Sequence, residues 1–244
     1  MKTQILYPKD ILETEFSRYF IKEATMMKNK GFYVGTEILP KISKYIYRGY
    51  THSVPMVYNK FSNLPWINNL DNFFKTLNMD KFFPIIKEWS FPTEIIQELD
   101  RNKLEKIRND FNCERLFIKD NVNSLHTENS SIYPDNYDLI VSNFKKYNLY
   151  GPYIIRKYID NKEIFYNEQR VWVLNGNVYL TAPSMPDFVF EAAKRMYEFS
   201  GSKYFVLDVA GDYIVEVNPG ESSDRGGFNS LEWFCDIFSK EFLK

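Results

Sequence analysis

Cysteine and histidine are scarce in this sequence, and their scarcity excludes several kinds of site. The two cysteines, Cys113 and Cys235, lie far apart in a chain of 244 residues, and the only histidines are His52 and His126. Neither pair has the spacing of a metal motif, so a disulfide scaffold, a Cys-rich zinc site and a His-rich metal centre are excluded. This composition favours a reducing compartment, and we expect the protein to be cytoplasmic.

Long apolar runs and an excess of one charge are also missing. No stretch approaches the roughly 18 apolar residues that span a bilayer. The N-terminal MKTQILYPKD turns polar too early for a secretory signal, so we expect no membrane segment and no export. The 31 basic and 32 acidic side chains leave a net charge of −1, so no global positive field is available for nucleic acid. We therefore expect no specific nucleic-acid partner.

Apolar and aromatic side chains, by contrast, are abundant. Hydrophobic residues make up 44% of the chain, and Phe, Tyr and Trp make up 18%. A chain of this length buries roughly 70–75% of its unfolded surface. That is enough for one or two globular domains without disulfides or a structural metal.

The first part of the chain predicts a small α/β unit that ends near residue 75. Short apolar runs at 4–7, 32–34 and 44–47 predict strands. Between the first two runs, apolar residues recur at three- and four-residue spacing, which predicts a helix over about 9–30. Residues 50–65 carry two prolines and little periodicity, which predicts a loop.

The second part predicts alternating helices and strands. Pro92-Thr93 is predicted to cap a helix that runs to about residue 110, and a helix over 135–148 is predicted to bury Leu139, Ile140 and Phe144. Strands are predicted at 116–119 and 153–159. Asn-Gly at 175–176, between two β-rich runs, favours a type I′ hairpin. A second hairpin is predicted over 204–218, and amphipathic helices over 187–199 and 230–242.

The second hairpin carries the strongest chemical signal. Glu216 and Asn218 are two residues apart on one strand, so their side chains point to the same face. Asp208 lies among apolar neighbours, where an unpaired charge would be costly. Two carboxylates and an amide are oxygen donors of the kind that Mg²⁺ takes alongside substrate phosphates. Solvent-facing hairpin residues are the alternative interpretation.

The register of this hairpin sets a condition on the predicted metal site. Across a two-residue turn at Gly211-Asp212, position 208 would oppose position 215, and the donors would lie on different faces. A three-donor site therefore needs a longer loop or a β-bulge that brings Asp208 opposite Glu216.

Four segments resemble one known family. The run VLDVAGDYIVEVNPG resembles the terminal metal-binding hairpin of the ATP-grasp superfamily. In the expected order before it, RLFIKD resembles the strand with the phosphate-binding lysine, YIIRKYID the adenine hinge, and EQRVWVLNGNVY the strand–turn–strand element with its arginine. The matching region covers about residues 80–244. Together with YRGY near Arg48, the chain looks most like the R2K clade of short, divergent ATP-grasp proteins.

The resemblance implies an α+β fold. In it, residues 76–244 form an ATP-grasp domain of two α+β subdomains around a nucleotide cleft. A short α/β pre-grasp unit on the substrate side, residues 1–75, precedes this domain. ATP and Mg²⁺ are the implied cofactors, with Asp208, Glu216 and Asn218 as metal ligands.

The basic residues are assigned to phosphates, nucleotide and substrate. The resemblance implies Lys119 for the phosphates and Arg170 for charge developing during phosphoryl transfer. The implied hinge contacts are Arg156, Lys157, Tyr158 and Ile159. Strand alternation puts Arg156 and Lys157 on opposite faces, so we expect only one of them near the nucleotide. Surface side chains are the alternative for the lysines and arginines, with Arg170 paired to Glu168.

Two features bear on the substrate and on phosphate coverage. Arg48 follows the last strand of the front unit, where ligands of open α/β sheets gather, so we expect it to clamp a carboxylate or phosphate; a surface arginine is the alternative. The loop at 121–131 has no glycine, whereas many superfamily members cover the phosphates with a glycine-rich loop. His126 in this loop is interpreted as a surface histidine.

The activity implied by the resemblance is ATP-dependent ligation of a carboxylate to an amine. ATP phosphorylates the carboxylate to an acylphosphate, and attack by the amine gives an amide or peptide bond with release of ADP. The partners are then ATP and two substrates, which are small molecules, peptides or proteins; a homodimer is left open.

Two alternatives stay open. One is a module that binds nucleotide without turnover. The other is a nucleotidyl transferase, such as a nucleic-acid ligase, with Lys119 as covalent nucleophile, although Asp120-Asn121-Val122 does not fit the Lys-x-Asp-Gly pattern of that family.

Overall fold

Three β-sheets organise the chain. The computed structural model describes residues 2–10, 18–122, 132–149, 151–159, 168–180, 184–223 and 230–244. The strands are β1 (Thr3–Leu6), β2 (Tyr33–Gly35), β3 (Lys44–Tyr47), β4 (Thr93–Ile96), β5 (Leu116–Asp120), β6 (Ile132–Tyr133), β7 (Tyr153–Lys157), β8 (Gln169–Leu174), β9 (Asn177–Leu180), β10 (Tyr204–Ala210) and β11 (Tyr213–Pro219). The α-helices are α1 (Arg18–Asn29), α2 (Val54–Lys60), α3 (Leu70–Leu77), α4 (Met79–Ile86), α5 (Arg101–Asp110), α6 (Tyr137–Lys146), α7 (Phe188–Ser200) and α8 (Leu231–Phe242).

The front sheet is parallel, with strand order β2-β1-β3. Its core is shared with the C-terminal part of the chain. Ile5 of β1 and Ile46 of β3 lie in one apolar cluster with Trp172 of β8, Val206 of β10 and Phe238 of α8. One face of the front sheet therefore packs against the C-terminal part of the chain. Its other face, with Leu6 and Tyr47, packs on Val54, Tyr58 and Phe73 in a second core formed within the first part of the chain.

The C-terminal sheet is antiparallel, with strand order β11-β10-β8-β9. Asn175 and Gly176 connect β8 to β9 with φ of 50° and 81°, the paired positive angles that a type I′ turn requires. Alternate residues of β8 and β10, such as Val171 and Phe205, pack against α4 and α7. The opposite face, which carries Trp172, turns towards the front sheet.

The middle sheet is also antiparallel, with strand order β4-β7-β5-β6. One face, with Ile118 and Ile155, packs against Leu104 of α5 and Phe144 of α6. Ile154, on the other face, joins the core of the C-terminal sheet. This second face therefore points towards the C-terminal sheet. None of the helices in the described part of the chain has the length and apolar character needed to cross a bilayer.

Two element predictions are wrong. Residues 54–60 of the predicted loop form α2, and Pro55 lies in its first turn, where a missing N–H costs nothing. Residues 93–96 of the predicted helix form strand β4, which pairs with β7. The helix begins instead at Arg101, after Asp100, whose carboxylate accepts a hydrogen bond from the Lys103 amide at 2.9 Å.

The predicted inner face of α6 also needs one correction. Ile140 and Phe144 are buried, as expected, but Leu139 is 46% exposed. The helix turns about 100° per residue, so Leu139 lies well away from the line that Ile140 and Phe144 share.

Candidate active site

A β-bulge in the last hairpin meets the condition set by the sequence. The turn at Gly211-Asp212 has two residues, with Ala210 paired to Tyr213 and Val209 to Ile214. The register then shifts by one, Val215 is left without a partner, and Asp208 lies opposite Glu216. Bulges of this kind redirect the side chains that follow them. Asp208, Glu216 and Asn218 consequently share one face of the C-terminal sheet.

Asp208 is the centre of this face. Arg170 of β8 is paired with Asp208 in the strand register. It donates two hydrogen bonds to the Asp208 carboxylate, from Nε to Oδ1 at 2.8 Å and from Nη2 to Oδ2 at 3.0 Å. Asn218 donates from Nδ2 to Asp208 Oδ2 at 2.7 Å. Burial raises the pKa of Asp208 above its usual value, and the charge of Glu216 adds to the rise, although Arg170 opposes it.

Glu216 links this face to the middle sheet. Its Oε1 accepts a hydrogen bond from Lys119 Nζ of β5 at 2.5 Å, and Lys119 is only 3% exposed. Burial alone would raise the pKa of Glu216, but the charges of Lys119 and Arg156 outweigh burial and hold it below its usual value. The carboxylate is therefore ionised at neutral pH, and the ion pair joins the two antiparallel sheets.

Arg156 of β7 lies on the same side as Lys119. It is buried, its Nη2 contacts Met79 Sδ at 3.3 Å, and its Nε has no hydrogen-bond partner within the described ranges. Burial lowers the pKa of Arg156 to about 10, an effect that the nearby Glu216 opposes. Lys157, by alternation, lies on the opposite face, where its charge acts on Cys113. Of this pair, Arg156 is the residue beside the cluster.

The other predicted nucleotide residues lie at the ends of strands. Tyr158 and Ile159 follow β7 and are half-buried, and the Tyr158 amide donates to the Arg115 carbonyl at 3.1 Å.

After β5, Asn121 Nδ2 donates to Asp80 Oδ1 at 2.6 Å, which ties the strand to α4. Residues 123–131 of the glycine-free loop, with His126, lie outside the described residues.

Arg48 is enclosed in the protein and does not extend from its surface. Its Nε and Nη2 donate to the two carboxylate oxygens of Glu23 at 2.8 and 2.7 Å, and both side chains are fully buried. The guanidinium carbon lies 5.4–5.6 Å from the rings of Phe20, Trp172 and Phe234. From the sequence, we expect Arg48 to clamp a carboxylate or phosphate of a substrate. The bidentate contact is made by Glu23 instead, so we assign no substrate contact to Arg48.

Glu168 is a neighbour of the cluster that sequence reasoning did not select. It is half-buried, and its pKa is raised by burial and by the charges of Asp208 and Glu216, with Arg170 opposing. The available signal was its position two residues before Arg170, which puts both side chains on one side of the chain. Arg170 pairs with Asp208, however, and not with Glu168 as the surface interpretation required.

The oxygen donors of this cluster fit a hard divalent cation. In the described part of the chain, no three His, Cys, Asp or Glu side chains form a metal-type group. The candidate donor set is two carboxylates, Asp208 and Glu216, with the amide oxygen of Asn218. Mg²⁺ is usually held by one or two carboxylates, with water and phosphate oxygens completing its shell. The cations beside these donors suit such phosphates.

No protein-family model matches the chain, and no curated protein matches its sequence. Solved structures do match it over almost its full length. D-cycloserine synthetase DcsG has a TM-score of 0.68 at 10% identity, covering 98% of this chain and 99% of that one. ATP-grasp ligase PsnB, solved with a phosphomimetic variant of its minimal precursor, Mg and ADP, has a TM-score of 0.62 at 10% identity, covering 99% and 97%.

D-alanine–D-alanine ligase from Bacillus anthracis is a third such structure. Its TM-score is 0.62 at 14% identity, covering 98% of this chain and 93% of that one. These identities are low, and it is the course of the backbone that the structures share with the chain. The two antiparallel sheets, the preceding parallel sheet and their order along the sequence thus have the arrangement of these ligases, and the chain has the ATP-grasp fold.

Proposed function

We propose that this protein is an ATP-dependent ligase that joins a carboxylate to an amine and releases ADP. One observation carries the proposal: Lys119 and Arg156 of the middle sheet meet Asp208, Glu216 and Arg170 of the C-terminal sheet in one cluster, which is buried at Lys119, Arg156 and Asp208 and partly open to solvent at Glu216 and Arg170. Acidic and basic groups brought together from two sheets suit a metal–polyphosphate complex, which carries charges of both signs.

Within this proposal, Asp208, Glu216 and Asn218 hold Mg²⁺, which neutralises phosphate charge when it is bound. Lys119 and Arg170 bind phosphate oxygens, Lys119 as a compact charge and Arg170 through its planar fork. Arg156 lies beside them, and the backbone and side chains of Tyr158 and Ile159 contact the base. Lys157 receives no role, because it lies on the opposite face of β7.

The proposal requires an exchange of partners. Lys119 and Arg170 contact the carboxylates that are the proposed metal ligands. With nucleotide and metal bound, the side chains of Lys119 and Arg170 would contact phosphate oxygens. The carboxylates of Glu216 and Asp208 would then hold the metal. Lys119 and Asp208, the two buried charges of these pairs, keep an opposite charge beside them before and after the exchange. This avoids the high cost of an unpaired buried ion.

The proposed chemistry is phosphorylation of the carboxylate by ATP, followed by attack of the amine on the acylphosphate. Both steps depend on alignment and charge neutralisation, and neither needs a nucleophilic side chain from the protein. A substrate carboxylate and an amine of small-molecule or peptide type are consistent with the neighbours, which include a D-cycloserine synthetase and a ligase solved with its precursor.

The finer assignments belong to the same proposal. They are membership of the R2K clade, a pre-grasp unit over residues 1–75 that faces the substrates, and an ATP-grasp domain over residues 76–244. The parallel front sheet lies within the first of these ranges, and both antiparallel sheets lie within the second.

Calorimetry with the non-hydrolysable analogue AMPPNP tests the proposal. The wild-type protein should bind AMPPNP with Mg²⁺ more tightly than without it. Glu216→Gln should lose at least about tenfold in Mg²⁺-dependent affinity, because losing a ligand costs no less than losing an outer-shell contact. Glu94→Gln, the same change at an exposed position of β4, is the matched control and should match wild type. Wild-type protein that does not bind AMPPNP with Mg²⁺ would contradict the proposal.

Turnover separates a ligase from a binding module. With mixtures of amino acids or peptides, the wild-type protein should release ADP, and Glu216→Gln should not. A mass gain equal to AMP on Lys119 after incubation with ATP would favour the nucleotidyl transferase instead.

A further inference from the structure

Residues 220–223, which we call the post-hairpin segment, follow the candidate metal ligands and are held by residues from the first part of the chain. Arg48 Nη1 donates to the carbonyl of Gly220 and, at 2.8 Å, to the carbonyl of Ser223. The amide of Gly49 donates to the carbonyl of Glu221 at 2.8 Å. The backbone directly after Asn218 is thus held from more than 170 residues away.

The side chain of Glu221 is the centre of this contact. It is fully buried, and its Oε1 accepts hydrogen bonds from Tyr58 Oη at 2.8 Å and from Asn68 Nδ2 at 3.0 Å. Burial raises the pKa of Glu221 above its usual value, although Asn68, Tyr58 and Arg48 oppose the rise. Within the described residues, Glu221 Oε2 has no hydrogen-bond partner. The polar contacts of this carboxyl therefore come from the first part of the chain.

The post-hairpin segment also has no room to move towards β10. A Cβ atom at Gly220 would lie 2.4 Å from Tyr204 Cδ2 and 2.6 Å from the Tyr204 carbonyl oxygen. Ser223 Oγ donates to the Pro219 carbonyl at 2.8 Å, which closes the turn onto the end of β11. The segment is consequently fixed on two sides, by β10 and by the N-terminal residues.

β11 needs such an anchor because it is an edge strand. In the order β11-β10-β8-β9, it has a strand neighbour on one side only. On its other edge, an isolated bridge joins Ser90 to Ile214 near the start of the strand, away from Glu216 and Asn218. Edge strands supported on one side open more easily than central ones. Glu216 and Asn218 lie in the last four residues of β11, so the position of its end decides where their oxygens point.

We propose that Arg48, Tyr58, Asn68 and Glu221 are positioning residues, which hold the end of β11 and thereby keep Glu216 and Asn218 in place for the metal. The inference rests on the proposed function. It assigns to the N-terminal part of the chain an effect on metal affinity, exerted through the end of β11, in addition to its proposed place beside the substrates. Contacts outside the ligand shell commonly set metal affinity by about 10–100-fold.

Mn²⁺ titration in the presence of AMPPNP, followed by electron paramagnetic resonance, measures the effect. Tyr58→Phe removes one hydrogen bond to Glu221, and we expect it to weaken Mn²⁺ binding about threefold. The control is Tyr47→Phe, which removes the bond to Ser53 Oγ at 3.0 Å in the same region without touching the post-hairpin segment. Tyr47→Phe should leave the Mn²⁺ affinity unchanged.

Two substitutions of Glu221 separate positioning from stability. Glu221→Leu removes both acceptors and should weaken Mn²⁺ binding about tenfold. Glu221→Gln keeps an oxygen for Tyr58 and Asn68 and should restore the wild-type affinity. Thermal melts of all variants without metal report stability separately, and if Glu221→Leu does not fold, the Tyr58→Phe and Tyr47→Phe pair decides.

Equal Mn²⁺ affinity in wild type, Tyr58→Phe and Glu221→Leu would overturn the positioning role while leaving the proposed function intact. A wild-type protein that binds no Mn²⁺ with AMPPNP would overturn the proposed function, and the positioning role with it.

Discussion

Two arginine–carboxylate pairs in this protein differ in how deeply they are buried. Arg48 and Glu23 are both fully buried, with aromatic rings around the guanidinium. The Arg170 side chain keeps 23% of its exposure, and its partner Asp208 also contacts Asn218. The first pair has no access to solvent or ligand and is structural. The second is open on one side, which allows its charges to change partners.

Arg48→Ala should destabilise the protein strongly. It leaves the buried Glu23 carboxylate with one hydrogen bond in the described part of the chain, which the Tyr7 hydroxyl donates to Oε1 at 2.8 Å. Removing one member of a buried ion pair typically lowers the free energy of unfolding by about 3–5 kcal/mol. Urea denaturation measures the loss.

An exposed ion pair supplies the control for this prediction. Arg101 and Asp138 have side chains that are 60% and 89% exposed, so Arg101→Ala should change the free energy of unfolding by no more than about 1 kcal/mol. The double variant Arg48→Met, Glu23→Gln should recover part of the loss, because no unpaired charge remains. A loss below about 1 kcal/mol for Arg48→Ala would show that the buried pair is not needed for stability.

At the scale of elements, the start of α5 is the clearest test of the corrected fold. Asp100 caps this helix through the Lys103 amide, so Asp100→Ala should lower the free energy of unfolding by about 1 kcal/mol. Glu98→Ala removes the same charge two residues earlier, outside the helix, and should have little effect. Equal losses in urea denaturation for the two variants would contradict a helix start at Arg101.

Local signals predict most elements of this chain, and long-range pairing explains the failures. The Asn-Gly turn and the closing helix follow from neighbouring residues alone. Ile96, Leu99, Leu104 and Ile107 have helical spacing, but β7 pairs with Thr93–Ile96 from about sixty residues away and makes it a strand. A sequence pattern holds no information about which strand is available as a partner.

The same limit applies to the candidate site. Asp208, Glu216, Asn218, Lys119 and Arg170 could be selected from residue type and strand position, and the structure brings them together. The bulge that aligns them could not be predicted, because register depends on both strands at once. The burial of Arg48 could not be predicted either, since nothing near it in sequence indicates Glu23 as its partner.

At the scale of the whole molecule, the ion pair between Lys119 and Glu216 joins the middle sheet to the C-terminal sheet. Because Lys119 already pairs with Glu216 and Arg170 with Asp208, the proposed ligands should bind a metal ion only weakly when no nucleotide is present. Lys119→Met and Arg170→Met each free a carboxylate, so both should raise the affinity for Mn²⁺ without nucleotide by at least about tenfold. Both should weaken AMPPNP binding. Electron paramagnetic resonance and calorimetry measure the two effects.

Lys157→Met is the matched control for these variants. It removes one positive charge from the opposite face of β7 and should change neither measurement. If all three variants bind Mn²⁺ alone as wild type does, the partner exchange is wrong.

The core that joins the front sheet to the C-terminal helix also has a consequence for biosynthesis. Ile5 and Ile46 are made early, but their packing partner Phe238 follows about 190 residues after Ile46. Synthesis proceeds at about 5–20 residues per second, so the face of the front sheet that carries Ile5 and Ile46 stays uncovered for on the order of 10–40 seconds. We expect this face to be open to chaperone capture during that interval.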